Sequence, residues 1–261
     1  MKLFNSFLIV FYITLLLCFN LFDKAIASST SEEKQKIIVV ITPHPDDAEA
    51  SCGGLIANYI AAGDDVIILN MTGGEYGIWN KSPEEARNIR TMEAKNAGDV
   101  LGAKEVFFGG IDAHLDIDSA NTEKLKKILM ELNPDIVLSP WPMDVHNDHQ
   151  ATGILAWRVF QDPRFKFDLY FYETTNTPHT KTFQFVPTHY VDISNVMDLK
   201  KEATLQHKSQ NPIGWYYMYE TLAEFRGYES DVKFAEAYIQ AQNSSGLGGR
   251  TSAVNKTLGE N

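Results

Sequence analysis

The sequence predicts an α/β fold built on a mostly parallel open sheet with helices on both faces. Ile37-Ile38-Val39-Val40-Ile41 is an unbroken β-branched run, the pattern of a strand buried on both faces. Similar apolar runs alternate along the chain with stretches of helical periodicity, and the connections between them are short. This makes the arrangement Rossmann-like, and in such sheets ligands gather at the carboxyl ends of the strands.

Each element follows from its residues. After the first strand, 48–62 has a helical pattern closed by Gly63, and 66–71 is a second buried strand, which completes a βαβ unit. The stretch 83–101 reads as a helix, with Ser82 as N-cap, Pro83 in the first turn and Gly102 past the end. A short strand is expected at 105–108, a helix at 122–132, a strand at 135–139 after the Asn133-Pro134 turn, and a helix at 148–160. Late strands are expected at 169–172 and 189–192, a helix at 196–210, and a helical tail at 235–241. Residues 28–36 are a polar linker, the folded domain runs over 37–242, and 243–261, rich in Ser, Gly, Asn and Thr, is a flexible tail.

The N-terminus reads as a targeting segment. Lys2 precedes an apolar stretch from Leu3 to Phe22, and Ala25-Ile26-Ala27 then matches the small-residue pattern of signal-peptide cleavage. The segment 1–27 is therefore expected to direct secretion. The alternative is an uncleaved anchor, because the apolar run approaches the length that spans a bilayer. Removing Cys18 with this segment leaves Cys52 as the single cysteine, so no disulfide within the mature chain is expected. Cys52 is read as a small buried residue, with a ligand or nucleophile role as the alternative.

Bulk composition bounds the function. The chain has 261 residues, 44% of them hydrophobic, enough for one substantial core. A formal net charge of −11 argues against non-specific nucleic-acid binding and against attraction to anionic lipid headgroups. Membrane association would follow only from an uncleaved N-terminal segment. Homo-oligomers remain open.

The residues that carry chemistry sit just after strands. His44, Asp46 and Asp47 follow the first, Thr72-Gly73-Gly74-Glu75 the second, Asp112 the third, and Asp144, His146, Asp148 and His149 the fourth. Zinc takes imidazole nitrogen and carboxylate oxygen, and a catalytic site keeps one position open. His44 and Asp47, with His149 as third ligand, meet that need, although such a set accepts other divalent metals. Asp46 is then free to act as general base, and His146 to protonate the leaving amine or steady an oxyanion. Asp148 or Asp144 could orient His146. The bland alternative for Asp46-Asp47 is a helix N-cap pair.

The motif Pro43-His44-Pro45-Asp46-Asp47-Ala48-Glu49, followed by Cys52-Gly53-Gly54, resembles the signature of the PIG-L (LmbE-like) zinc de-N-acetylases. Thr72-Gly73-Gly74-Glu75, His146-x-Asp148-His149 and His207-x-Ser209-Gln210 match further patterns of that family, over roughly residues 37–242. The resemblance implies His44, Asp47 and His149 as zinc ligands, Asp46 as base and His146 as the oxyanion or proton-transfer residue. It also implies hydrolysis of the acetamide of an N-acetylglucosamine-containing small molecule. A non-catalytic carbohydrate-binding protein on the same fold, or a zinc hydrolase of another amide, are the alternatives.

Substrate contacts are read more openly. Arg90 and Glu93 match a family R-x-x-E pattern; Arg90 could contact substrate, or the two could form a surface ion pair. Glu75 and Asp112 could bind sugar hydroxyls, or be a loop carboxylate and a turn cap. His207 could line the pocket or face solvent. The run Trp215-Tyr216-Tyr217-Met218-Tyr219 could stack on a sugar ring or belong to the core.

Overall fold

The computed structural model describes residues 34–175 and 184–241. The expected signal segment 1–27, most of the linker and the tail 243–261 lie outside the described residues. Among the described residues no helix is long and apolar enough to cross a membrane.

The elements in chain order are β1 (Ile37–Thr42), α1 (Asp47–Ala61), β2 (Asp65–Thr72), α2 (Pro83–Leu101), β3 (Lys104–Gly110), α3 (Ser119–Leu132), β4 (Ile136–Pro140) and α4 (Asn147–Phe160). Then come β5 (Asp168–Tyr172), β6 (His189–Asp192), α5 (Met197–Thr204), two short 3-10 turns, α6 (Tyr216–Ser230) and β7 (Ala235–Gln240). The strands form one sheet in the order β3-β2-β1-β4-β5-β7-β6. The first five pair in parallel; β7 runs antiparallel to both β5 and β6.

Both faces of the sheet are buried, as continuous β-branched strands require. Ile38 and Val40 of β1 pack with α1, α5 and α6, whereas Val39 and Ile41 pack with α3 and α4. The strand order reverses between β1 and β4, which pair from Ile38↔Ile136 to Val40↔Leu138. Loops leaving the carboxyl ends of two strands at such a switch point diverge and open a crevice between them.

The structure departs from two sequence expectations and adds an element that was not expected. Residues 235–240 form the strand β7, not a helix. Ala and Glu favour helices, but here β7 bonds to β5 on one side and β6 on the other, and tertiary pairing overrides propensity. The helix expected over 196–210 ends at Thr204, whose hydroxyl bonds back to the Lys200 carbonyl; left-handed Asn211 and Pro212 then prevent resumption. The aromatic run at 215–219 opens the helix α6, to which the sequence reading assigned no element because consecutive aromatic residues are weak helix formers.

Glu236 on β7 ties the late strands to α1. Its carboxylate accepts from the Gly54 and Leu55 N–H groups, both at 2.8 Å, from Lys200 Nζ at 2.6 Å and from Tyr238 Oη at 2.8 Å. Gly54 must be glycine: a Cβ there would lie 2.4 Å from Ile193 Cγ2. The neighbouring Cys52 is buried, and burial pushes its thiol well above its ordinary pKa, which removes it from nucleophilic chemistry.

Candidate active site

Two loops at the switch point supply the centre. In the first, the Thr72 hydroxyl and N–H both donate to the Pro43 carbonyl, at 2.9 and 3.1 Å, and so fix the turn onto the end of β2. Asp46 takes the N-cap position of α1 with φ 116°, a left-handed backbone that is strained for an aspartate, and its side chain makes no capping bond. The capping alternative for Asp46 therefore fails, because its carboxylate is turned into the crevice. Arg90 holds it there: Nη2 donates to the Pro45 carbonyl at 2.6 Å and to Asp46 Oδ2 at 3.2 Å. The Arg90 guanidinium lies so close over the next loop that a Cβ at Gly74, whose φ is +66°, would meet it at 2.4 Å.

His44, Asp47 and His149 converge. Asp47 Oδ2 lies 3.1 Å from His44 Nδ1 and 3.2 Å from His149 Nε2. The far nitrogen of each ring faces carboxylates: His44 Nε2 is 3.1 Å from Asp148 Oδ2 and 3.2 Å from Asp112 Oδ1, and His149 Nδ1 is 3.3 Å from Asp144 Oδ2. Carboxylates behind ligating imidazoles orient the rings and raise their basicity. Among the described residues, potential ligand atoms cluster in two groups, neither of which includes Asp47: His44 with His146 and His149, and His44 with Asp112 and Asp148.

Electrostatics follow from this crowding. Burial opposes protonation of His44, but Asp112, Asp148 and Asp47 raise its pKa well above the usual value. His149 is likewise disfavoured by burial yet lifted to about 9 by Asp47 and Asp144. Burial works against the Asp47 charge, but His149 and His44 hold its carboxyl well below the ordinary range. The carboxylates around these two rings favour positive charge at this point, and a dication supplies it as protons on the rings would. Two nitrogens and an oxygen on one side, with anionic support behind, fit zinc or a similar divalent ion.

Asp46 is different. Burial raises its carboxyl to about 6, against the pull of Arg90. A carboxylate of that basicity accepts a proton readily near neutrality. His146 caps α4, and its Nδ1 accepts the Asp148 N–H at 3.2 Å. That bond places the ring proton on Nε2, and burial together with the neighbouring His44 and His149 lowers the pKa, so the ring is a neutral donor.

Asp148 and Asp144, expected to orient His146, also stand behind His44 and His149. Asp148 faces His44 and accepts the Ala113 and Leu115 N–H groups at 2.6 and 3.1 Å; Asp144 faces His149, takes the Thr174 hydroxyl, and accepts the His146 backbone N–H at 2.9 Å. The His146 ring takes the Asp148 backbone N–H on its Nδ1 at 3.2 Å, while the Asp144 carboxylate reaches His146 at its backbone N–H. Thr174 was not evident in the sequence; nothing local marks it.

Of the residues expected to contact substrate, Arg90 and Asp112 line the cavity, and Glu75 and His207 do not. Glu75 is buried, paired with Arg87 and accepting the Gly73 N–H at 3.1 Å. His207 is fully buried, with Nε2 3.3 Å from Glu49 Oε2. Arg90 and Glu93 are not a surface ion pair: Glu93 instead receives the Ser209 N–H at 2.8 Å and hydroxyl at 2.6 Å. The cavity, about 450 Å³, adds residues the motif reading did not single out, among them Tyr76, Ala113 and Thr175, and it includes Gln210 of the late motif.

The chain is similar to known proteins in sequence and in fold. A sequence-family model described as PIG-L, GlcNAc-PI de-N-acetylase, matches residues 39–160. A diacetylchitobiose deacetylase from Thermococcus kodakarensis is 30% identical over 245 residues, covering 84% of this chain and 91% of its own. A 4-oxalmesaconate hydratase from Pseudomonas putida is 27% identical over 216 residues, 75% of this chain and 81% of its own. Among solved structures, an N,N'-diacetylchitobiose deacetylase from Pyrococcus horikoshii, complexed with an inhibitor, superposes with a TM-score of 0.71 at 28% identity, covering 80% of this chain and 84% of that one.

Proposed function

This chain belongs to the PIG-L family of de-N-acetylases, and from that membership we propose that it hydrolyses the acetamide of an N-acetylglucosamine-containing substrate, using a divalent metal, zinc by the chemistry of the donors, held by His44, Asp47 and His149. Bound there, the metal supplies Lewis-acid polarisation and makes water easier to deprotonate. The observation that carries the reading is the division of labour between adjacent aspartates: Asp47 Oδ2 sits between two imidazoles, while Asp46, held by Arg90, has its carboxylate free of them.

The reaction then needs little else from the chain. Asp46 takes a proton from water as its oxygen bonds to the acetyl carbon. The neutral His146 Nε2–H donates to the oxyanion that forms on the carbonyl oxygen. As the C–N bond breaks, Asp46 returns its proton to the leaving amine, and acetate and the free amino sugar result. Asp112 and Arg90 border the cavity where sugar hydroxyls would lie.

The hydratase relative raises water addition to a polyanionic acid as another reading. Arg90 is the one lysine or arginine among the described lining residues, and it is already engaged with Pro45 and Asp46, which favours a neutral amide over a polyanion. The leader reading completes the proposal: an enzyme acting outside the cytosol, cleaved after Ala27 or anchored by the uncleaved segment, which N-terminal sequencing of the exported protein separates.

The test is acetate release from N-acetylglucosamine and its conjugates, with metal analysis of the same samples. Chelation is expected to remove metal and activity together, and zinc to restore both. Asp46→Asn should keep its metal and lose about 100- to 10,000-fold in turnover. Turnover that persists in metal-free protein, or near-normal activity in D46N, would overturn the assignment.

A further inference from the structure

The late motif His207-x-Ser209-Gln210 takes no part in the hydrolysis described above, although Gln210 borders the cavity. Its last two residues lie on a short 3-10 turn, Lys208–Gln210, that ends at the left-handed Asn211. Each motif side chain reaches a different segment. His207 Nε2 stands 3.3 Å from Glu49 Oε2 in the first turn of α1. Ser209 donates to both oxygens of Glu93 on α2, from its N–H at 2.8 Å and from its hydroxyl at 2.6 Å. Gln210 Nε2 donates to the Gly77 carbonyl, in the loop after β2, at 3.3 Å. One turn thus binds the helix start that carries Asp46 and Asp47, the helix that carries Arg90, and the loop that lies against the guanidinium.

The contact to Glu93 is the firmest of the three. Hydrogen bonds to a carboxylate are roughly twice as strong as neutral ones, and two in parallel fix direction as well as distance. Glu93 and Arg90 are three residues apart on α2, so they share a face, and both are buried. The guanidinium has little room: a Cβ at either Gly74 or Gly77 would clash with Arg90 Nη1. The loop therefore packs closely on Arg90, and Gly77 is the residue of that loop that Gln210 holds. Arg90 in turn donates to the Pro45 carbonyl and to Asp46. The contacts run without a gap from Glu93 through Ser209, Gln210, Gly77 and Arg90 to the Asp46 carboxylate.

We propose that Glu93 is a positioning residue of this enzyme: by anchoring the Ser209–Gln210 turn it keeps the Gly77 loop pressed on Arg90, and so fixes the guanidinium that aims Asp46. The proposal rests on the deacetylase reading, because the aim of Asp46 matters only where Asp46 is the base. Glu93 is not among the described residues that line the cavity, so it acts through its neighbours. Small displacements of a reacting group, made from a distance, are enough to cost a large part of the rate.

The experiment measures kcat/KM for acetate release from N-acetylglucosamine and its β-1,4-linked dimer, with bound metal assayed in the same samples. The variants are E93Q, S209A, S209T and K208A, and the first two are repeated in an R90K background. E93Q and S209A are each expected to lower kcat/KM about tenfold with metal content unchanged. S209T keeps the hydroxyl and should stay within about twofold of the wild type, as should K208A, which alters an exposed side chain of the same turn. In R90K, where the guanidinium is already gone, E93Q and S209A should cost less than about twofold more, because residues acting through one contact are not additive. S209A removes a half-buried hydroxyl only, so it tests the idea even where E93Q disturbs folding. Wild-type kcat/KM in S209A, a tenfold loss that persists in the R90K background, failure of S209T to restore activity, or loss of metal in step with activity overturns the positioning role while the deacetylase reading stands. A wild-type protein that releases acetate from no N-acetylglucosamine compound overturns that reading, and this role with it.

Discussion

Asp148 is fully buried and serves three parts of the site at once. Its carboxylate accepts the Ala113 N–H at 2.6 Å and the Leu115 N–H at 3.1 Å, and faces His44 Nε2 at 3.1 Å. Ala113 adopts a left-handed φ of 61°, so these bonds also hold a loop that an L-residue would leave. Asp148→Asn keeps the shape but replaces one acceptor oxygen with an amide donor. At least one buried N–H or the His44 ring is then left facing a donor, at about 1–3 kcal/mol, and loss of the charge weakens the contacts that remain. The expected cost is about 3 kcal/mol, which for a chain of this size lowers Tm by about 6–12 °C. With His44 less firmly oriented, metal affinity should fall about 10- to 100-fold. Thermal melts of the metal-free proteins, followed by zinc titration in competition with a chromophoric chelator, measure the two effects separately. D116N, on an exposed side chain in the same loop, serves as control. A D148N protein with wild-type Tm and wild-type metal affinity would refute the argument that this carboxylate organises the site.

Other expectations follow from the same bonds. Lys200→Met leaves the Glu236 charge buried with one donor fewer and should destabilise the fold by about 3–5 kcal/mol, seen as a lower midpoint in urea; an unchanged midpoint counts against the anchoring of α1 by β7. Arg90→Lys cannot reproduce the paired contacts to Pro45 and Asp46 and should reduce kcat/KM by at least about tenfold with metal content intact; full activity would show that Asp46 holds its place without the guanidinium. Glu105, whose Oε1 is buried without a hydrogen-bond partner, has its pKa raised well above normal by burial and by Glu49. A raised carboxyl pKa means the folded state resists ionisation, so the penalty is absent at low pH and grows as pH rises through the folded value. Glu105→Gln should therefore raise Tm at pH 8 but not at pH 4, and an equal shift at both would remove the electrostatic explanation.

Much of this protein is written locally. A β-branched run such as 37–41 can bury both faces only in a covered parallel sheet, and period alone separates it from the helices that follow. Residue type carries chemistry in the same way: His44, Asp46, Asp47, His146 and His149 suggested a metal and a base because they follow strands, where such folds bind ligands. The sequence alone therefore determined the fold class and pointed to the loops and side chains of the candidate site.

Tertiary structure decided the partners. That Asp148 stands behind His44 and Asp144 behind His149, that Arg90 reaches back to Asp46 while Glu93 goes to Ser209, and that Glu75 and His207 are sealed off from the cavity all depend on approaches between segments distant in sequence. Spacing fixes only which face of its own element a residue occupies. Likewise 235–240 became a strand because β5 and β6 offered unpaired edges, a fact held in other parts of the chain. Long-range geometry is set by which surfaces bury one another, and no local pattern records the partner.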